Sequence, residues 1–179
     1  MKYGITKIIF FISVMLAGYC YSDEAVKYVP IINSDLTVII PIEPNHLPPD
    51  PGQDANITME GVDSNANGVR DDVERYIAYT YPGENNGILR DRLKNFAYWQ
   101  QKTIILGESV SEANAVKIIE AGYCIQNLLG KDEGHDSYAE IIARHLNTYD
   151  RSMRYIAYLD KVQSLSWGAN ASTNPDCNL

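Results

Sequence analysis

Residues 63–74 read DSNANGVRDDVE and stand between a proline-rich segment and a long run of helical sequence. Side-chain oxygens occur at positions 1, 3, 5, 9 and 12 of this stretch, and Gly68 occupies position 6, where a twelve-residue calcium loop turns sharply. Calcium takes about six to eight oxygen ligands, so a backbone carbonyl, a bidentate position 12 and water would complete the set. The stretch therefore predicts a calcium site with the ligands Asp63, Asn65, Asn67, Val69, Asp71 and Glu74.

The pattern resembles the EF-hand-type calcium loop, and more closely the loop–helix variants of dockerins and thrombospondin type 3 repeats. It matches D-x-[DN]-x-[DN]-G-x5-E over about a dozen residues. Position 8 holds Arg70 in place of the usual apolar residue, and Pro48, Pro49 and Pro51 stand where an EF-hand has its incoming helix. These departures argue against a paired, switching EF-hand. The run on through Ile77 also resembles secreted bacterial proteins of uncharacterised activity.

The loop has a second interpretation as an ordinary turn followed by a helix. Asparagine and glycine are common in turns. Asp71, Asp72 and Glu74 suit the first turn of a helix, because carboxylates complement the helix dipole. A turn has no need of an oxygen at every ligand position, so the spacing favours calcium.

Residues 1–22 have the composition of a secretory signal peptide. Lys2 and Lys7 precede an apolar run over residues 8–17, and cleavage is expected after Ser22. A lipoprotein anchored at Cys20 is the alternative, but Tyr19 stands where the lipidation pattern requires a small residue. We expect a periplasmic or secreted protein with no transmembrane anchor after cleavage.

The charge balance is strongly acidic. The signal segment holds two of the 15 basic residues and none of the 23 acidic ones, so its removal changes the net charge from −8 to about −10. Nucleic acid and anionic membranes attract positive charge, and the chain has no phosphate-binding GxxxxGK[ST] loop. We therefore expect neither nucleic acid nor nucleotide as a partner.

Residues 23–62 predict an extended, proline-rich arm. Residues 36–40, LTVII, form a β-prone run, and four prolines between residues 43 and 53 favour a polyproline-like backbone. Such an arm suits a recognition segment or a spacer that wraps over the body or stays disordered. Its composition favours the spacer.

From Val69 onward the apolar spacing becomes helical, which predicts an all-α bundle of about four to five helices within residues 63–179. The first three helices are expected to end near Tyr81, at Gly107 and at Gly130, because proline or glycine follows or stands there. Large apolar residues at helical spacing give the predicted buried faces. These residues are Leu89, Leu93, Phe96 and Ile104, then Val116, Ile119, Tyr123 and Leu128, then Tyr138, Ile142, Leu146, Tyr149, Met153 and Ile156.

Three local predictions concern the later helices. Ser109 and Glu112 match a capping box at the start of the third helix. Residues 130–134 are expected to be an exposed polar loop, with the fourth helical region beginning near Asp136. Asn147-Thr148 could cap a new helix within this region, so the sequence is compatible with either one kinked helix or two helices.

No catalytic residue is predicted. His46, His135 and His145 share no metal-ligand spacing, and neither HExxH nor GxSxG occurs. His145 lies beside the apolar stripe and is interpreted as a structural histidine. The favoured function is an exported, non-enzymatic, calcium-stabilised protein that binds an unidentified envelope macromolecule. The alternative is an envelope glycan or peptide hydrolase with a structural calcium.

Tyrosine is unusually frequent, with 13 in the chain. Tyr76, Tyr79 and Tyr81 follow the calcium loop, and Tyr98 stands beside Trp99. These residues suit a platform for sugar or protein, or the boundary of a small helical core. Their helical spacing favours the core boundary.

Cys124 and Cys177 are the two cysteines that remain after signal cleavage. An even pair in an exported protein predicts a disulfide, which would attach the irregular C-terminal tail to the third helix. Two unpaired thiols are the alternative.

Overall fold

The computed structural model describes residues 47–164 and 171–177. Over these residues the chain forms five α-helices and no strand, which confirms the all-α prediction. The helices are α1 Asp71–Thr80, α2 Gly87–Leu106, α3 Glu112–Leu129, α4 Lys131–His145 and α5 Tyr149–Gln163. The predicted signal peptide, the β-prone run and His46 lie outside the described residues. No helix in the described part of the chain has the length and apolarity needed to cross a membrane.

Helix α2 lies at the centre of the bundle and contacts each of the other four helices. Its predicted apolar face is confirmed, since Leu89, Leu93, Phe96 and Ile104 are all buried. Each such side chain contributes roughly 2 kcal/mol by leaving water. Leu89, Leu93 and Phe96 of this face belong to the main core. The other buried members of that core are Val69, Val73, Ile77, Ala97, Ile118, Ala121, Ile125 and Ile141.

Helix α1 begins at Asp71, position 9 of the predicted calcium loop, so the last four loop residues form its first turn. Arg70 is its N-cap, with an extended backbone and no capping bond from its side chain, and the acids of the first turn oppose the positive end of the helix dipole. Val73 and Ile77 point into the core and are fully buried. The helix ends at Thr80, with Tyr81 as its C-cap before Pro82-Gly83, close to the predicted end.

The buried face of α3 differs from the prediction. Small residues, including Ala115, Ala121 and Gly122, are buried with Ile118 and Ile125. The predicted stripe Val116, Ile119, Tyr123 and Leu128 lies to one side of this face, and Leu128 is exposed. The reason is the direction in which α3 docks: Gly122 faces Phe96 of α2 and Tyr138 of α4, where a Cβ would make ordinary contacts of 3.7 Å, so the face with Ile118, Gly122 and Ile125 is the buried one.

The capping box at Ser109 is wrong by two residues. Ser109 belongs to a short 3-10 helix, Gly107–Ser109, and Ser111 caps α3 by accepting a hydrogen bond from the Asn114 backbone N–H at 3.3 Å. Both serines precede an acidic or amide residue at suitable spacing. Ser111 is the cap because the 3-10 helix already includes Ser109.

The predicted loop at residues 130–134 is also wrong. Only Gly130, with φ +90°, separates α3 from α4, which begins at Lys131. Gly134 makes this sharp reversal possible, since a Cβ there would lie 2.6 Å from the Gln126 Cα. The two helices therefore touch through backbone within one turn of the connection.

The last helical region is two helices, which settles the open alternative. Helix α4 ends at His145, and Thr148 caps α5 by accepting a hydrogen bond from the Arg151 backbone N–H at 3.3 Å. The predicted burial of Tyr149, Met153 and Ile156 is wrong, because these side chains are 77%, 45% and 49% exposed. Helix α5 instead buries Tyr158 and Val162 against Val110 and Ala115 in a second, smaller core.

The described part of the arm is packed on the bundle. Residues Gly52–Asn56 form a 3-10 helix, so the extended prediction does not hold there. Ala55 is buried, and the Pro48 carbonyl accepts a hydrogen bond from the Arg75 side chain at 2.9 Å. Residues 47–62 therefore cover the body, one of the two forms expected of a spacer.

Cys124 on α3 and Cys177 in the tail form a disulfide, with a Cα–Cα distance of 5.6 Å. The bond attaches residues 171–177, which have no regular secondary structure, to the buried side of α3. The pairing predicted from the cysteine count is thus present.

Candidate metal centre

Asp63, at position 1, holds the turn of the candidate calcium loop. Its Oδ1 accepts a hydrogen bond from the Asn67 N–H at 3.1 Å, and its Oδ2 accepts one from the Gly68 N–H at 2.8 Å. Gly68 has φ +82°, as predicted for the sharp turn at position 6. The first predicted ligand residue therefore lies inside the turn, with two backbone N–H groups donating to its carboxylate.

Positions 3, 5 and 12 converge on one point. The Asn65 and Asn67 amide nitrogens both donate hydrogen bonds to Glu74 Oε2, at 3.1 and 3.0 Å. The amide oxygens of the two asparagines accept from backbone N–H groups within the loop. The structure thus brings three of the six predicted ligand residues into direct contact, although Glu74 stands seven residues beyond Asn67.

Asp71, at position 9, ties the end of the loop to its beginning. Both of its carboxylate oxygens accept from the Ser64 N–H, at 3.0 and 3.2 Å, and its own N–H donates to the Val62 carbonyl at 2.8 Å. The residue is fully buried. In this arrangement Asp71 closes the loop, and it would reach an ion most simply through water.

Val69, at position 7, joins the loop to the protein interior. Its side chain is buried in the main core, while its N–H donates to Asn67 Oδ1 at 2.8 Å. The apolar anchor that EF-hand-type loops have at position 8 is supplied here one residue earlier.

Lys94, on α2, already places a positive charge at the site. Its Nζ lies 2.6 Å from Glu74 Oε1, and the Glu74 side chain is only 5% exposed. Burial alone would raise the pKa of Glu74, but the hydrogen bonds from Lys94, Asn65 and Asn67 outweigh that effect and hold the pKa below its usual range. Glu74 is therefore an ionised carboxylate with every oxygen engaged.

Three residues of α2 contact the loop and the segment before it from one side of the helix. Lys94 binds Glu74, Tyr98 packs against Gly68, and Gln101 donates to the Glu60 carbonyl at 3.0 Å. Their spacing of four and three residues places them in line along the helix. Helix α2 thus forms a wall against which the loop is held.

Arg70 explains the departure at position 8. Its side chain is 1% exposed, forms an ion pair with Asp72, and donates to the His145 carbonyl at 3.4 Å. A guanidinium here reaches across to the end of α4, which an apolar side chain could not bond. The loop is therefore fixed to the bundle by a buried cation.

Arg151 performs a similar function for residues 55–59. Its side chain donates to the carbonyls of Ala55, Thr58 and Met59 at 2.6 to 3.1 Å and to the Asn147 side chain. These carbonyls lie in an irregular segment, so they need donors from outside it. The sequence signal for this role is only an arginine on the inner side of a helix, which spacing alone does not distinguish from a surface residue.

His145 lies in the interior, in keeping with its interpretation as a structural histidine, and its Nε2 has no hydrogen-bond partner among the described residues. It is 0% exposed, and its Nδ1 lies 2.8 Å from the Ile141 carbonyl. Burial, together with the nearby Arg70 and Arg151, lowers its pKa to about 3, although the Ile141 carbonyl opposes the shift. The histidine is therefore neutral at physiological pH.

The donor set of the loop fits calcium in kind. It offers carboxylate, amide and carbonyl oxygens from one short segment and contains neither thiol nor imidazole, as a hard cation prefers. Among the described residues, no three His, Cys, Asp or Glu side chains are grouped so that they could hold a metal ion. The three carboxylates among the predicted ligands, Asp63, Asp71 and Glu74, therefore do not form such a group in this structure.

A groove of about 250 Å³ lies on the side of α2 and α3 next to the disulfide. The residues that line it are Asn95, Trp99, Lys117, Glu120, Ala121, Cys124 and Asp176. Lys117 and Glu120 form an ion pair of 3.2 Å at its edge. The lining includes one aromatic side chain, Trp99, and two carboxylates, Glu120 and Asp176.

The tyrosines near the loop are distributed as expected for a core boundary. Tyr76, Tyr81, Tyr98 and Trp99 are partly buried against the main core, whereas Tyr79 is 44% exposed. Arg144 stacks on the Tyr76 ring at 4.1 Å from its centroid.

Comparison of the chain with protein-family models, with curated proteins and with solved structures found no match.

Proposed function

We propose that this protein is an exported calcium-binding protein of the cell envelope in which the ion is structural. Calcium would be held by the side chains of Asp63, Asn65, Asn67 and Glu74 and by the Val69 carbonyl, with Asp71 acting through water. The observation that carries the proposal is the convergence of Asn65 and Asn67 on the Glu74 carboxylate. A rotation of each amide about its Cβ–Cγ bond would turn its oxygen toward that point.

The ligand set predicts a modest affinity. Amides at positions 3 and 5 leave three carboxylates among the predicted ligands, and Asp71 among them is bound to Ser64. We therefore expect a dissociation constant of about 10⁻⁵ to 10⁻³ M, the range of extracellular calcium modules. Magnesium should compete poorly, because a flexible loop of many oxygens does not impose its small octahedral geometry.

A structural ion suits the position of the loop. Asp63 to Arg70 connects the segment 47–62 to α1, and Arg70 and Asp71 are both buried. An ion there would fix the direction in which the chain enters the bundle. Binding would stabilise the fold without a large rearrangement, since α1 and the core are already formed.

The proposed binding role is supported by the outer face of α5. Tyr149, Met153 and Ile156 are exposed at a spacing of four and three residues and so form one apolar stripe. Exposed apolar stripes of this kind are typical of contact surfaces for a partner protein. We propose an envelope macromolecule with a complementary apolar face as the partner, without catalysis by this chain.

Calorimetric titration with calcium tests the metal site. The wild type and an Asp54→Asn control, which removes an exposed carboxylate outside the loop, should bind one equivalent; Asp63→Asn should bind at least tenfold more weakly. Equal binding by all three proteins would place any calcium elsewhere.

A pull-down from envelope extract with and without calcium, repeated with the double variant Met153→Glu/Ile156→Glu, tests the partner surface. Capture unaffected by the two glutamates would rule out the stripe as the contact.

The groove beside the disulfide favours the alternative, an envelope glycan or peptide hydrolase with a structural calcium. Trp99 offers an aromatic face, and Glu120 and Asp176 offer two carboxylates along the same groove. Release of sugar or peptide fragments from envelope material by the wild type, and its loss in Glu120→Gln and Asp176→Asn, would establish this alternative.

A further inference from the structure

We infer that Lys94 is an internal competitor for the calcium site: its ammonium group neutralises Glu74 in the ion-free protein and must leave Glu74 Oε1 when calcium binds. This inference rests on the proposed calcium function and adds a residue outside the loop that sets its affinity. Lys94 would thereby couple the loop to helix α2.

The contact is direct and partly shielded from water. Lys94 Nζ lies 2.6 Å from Glu74 Oε1, a distance typical of a charge-assisted hydrogen bond. The Glu74 side chain is 5% exposed and the Lys94 side chain 34% exposed. Such a pair is stronger than an exposed surface ion pair, because water competes for only one of its ends.

Both oxygens of Glu74 are needed by a calcium ion at position 12. A bidentate glutamate uses Oε1 and Oε2 together. In the structure Oε1 is bound by Lys94 and Oε2 by the two asparagine amides. Calcium binding must therefore displace the ammonium group as well as turn the amides.

Charge gives the same result as geometry. The pair of Lys94 and Glu74 contributes no net charge, whereas a calcium site needs the full carboxylate charge of position 12. An ammonium group near the ion would also repel it. Replacing Lys94 by an uncharged residue should therefore strengthen calcium binding, because it removes the contact that competes with the ion for Glu74.

The competition also explains how the loop can stay formed without the ion. Glu74 has an ammonium partner and two amide donors, so it is not left as a buried unpaired carboxylate. Lys94 in effect performs the charge-neutralising part of the calcium ion's function at lower strength.

Calorimetry of matched lysine variants tests the inference. Lys94→Met keeps the aliphatic stem without the charge, Lys94→Arg keeps the charge, and Lys117→Met makes the same charge change at the ion pair with Glu120, on α3. We expect Lys94→Met to bind calcium about 3- to 30-fold more tightly than the wild type, which is the strength of a half-shielded charged hydrogen bond converted to affinity. Lys94→Arg and Lys117→Met should stay within about twofold of the wild type.

Each outcome of that titration is decisive. Tight binding by Lys94→Met when the wild type binds weakly or not at all supports the inference, and in the second case it overturns the proposed function of the wild type. An affinity of Lys94→Met equal to or weaker than that of the wild type overturns the inference and leaves the calcium site intact. Absence of binding in every variant overturns both.

The acetylation rates of individual lysines in the wild-type protein give an independent readout. Lys94 should react faster in millimolar calcium than in chelator, because its amine is released from Glu74, whereas Lys117 should react at the same rate in both. An unchanged rate at Lys94 in protein that binds calcium would show that the ammonium group stays on Glu74, contrary to the inference.

Discussion

The ring of Tyr98 packs against the backbone of Gly68 so closely that a Cβ on residue 68 would lie 2.5 Å from two of its ring carbons. Gly68 is therefore required twice, once for its φ of +82° and once for the space that the tyrosine occupies. This contact joins the turn of the candidate calcium loop to the central helix of the bundle.

Gly68→Ala should lower the free energy of unfolding by about 2–4 kcal/mol, the sum of backbone strain and overpacking. In a Tyr98→Ala background the same substitution should cost less, because only the strain remains. Urea unfolding of the four proteins of this cycle measures the difference. An identical cost in both backgrounds would show that the ring yields freely.

Gly134→Ala should destabilise the protein by about 1–3 kcal/mol, since its Cβ would lie 2.6 Å from the Gln126 Cα and backbone cannot move aside cheaply. Gly87→Ala is the matched control: it is also helical and has open space around it, so it should be neutral or stabilise by up to about 1 kcal/mol. Similar melting temperatures for the two variants would contradict the close approach of α3 and α4.

The neutral, buried His145 predicts a loss of stability in mild acid. Because burial lowers its pKa to about 3, below the unfolded value of about 6.5, the unfolded chain takes the proton first. Its contribution is thus complete above pH 6.5 and declines as the pH falls from there toward 3, by roughly 2 kcal/mol at pH 5.

Denaturant titrations between pH 7 and 5 check this prediction. His145→Gln should flatten the pH dependence in that range, whereas His135→Gln, which changes a 44% exposed side chain, should leave it unchanged. The prediction is wrong if the slope survives in His145→Gln.

Reduction of the Cys124–Cys177 disulfide should lower stability by about 4 kcal/mol, the chain-entropy value for a loop of 53 residues. The calcium affinity should not change, because neither cysteine touches the loop. Thermal unfolding with and without reductant, followed by calcium titration of the reduced protein, measures both. Free alkylation of both thiols in the oxidised, folded protein would contradict the bond.

The sequence predicted the helix ends and the turn of the loop, because interactions between residues close in the chain determine them. Pro82-Gly83, Gly107 and Gly130 end helices because proline lacks a donor and glycine accepts unusual backbone angles. The positions of Asp63, Gly68 and the amides in the loop follow from the same kind of rule, and the parity of the cysteines predicted their pairing.

Tertiary contacts decided the features that the sequence did not predict. The stripe rule selects large residues such as Val116, but α3 docks through the neighbouring face, which carries Ile118, Gly122 and Ile125. Tyr149, Met153 and Ile156 follow a helical stripe and still face outward, because α5 docks through Tyr158 and Val162. Lys94 resembles any surface lysine in sequence, since its partner lies 20 residues earlier in the chain.

The most direct test of the calcium site is the melting temperature of the wild-type protein in chelator and in increasing calcium. We predict a rise that begins near the dissociation constant and grows with the logarithm of the calcium concentration, reaching about 2.7 kcal/mol of stabilisation at a hundredfold excess. Asp63→Asn should show no such rise. Magnesium at the same concentrations should leave the wild-type melting temperature near its value in chelator. Superimposable wild-type melting curves in millimolar calcium and in chelator would contradict a calcium ion in this loop.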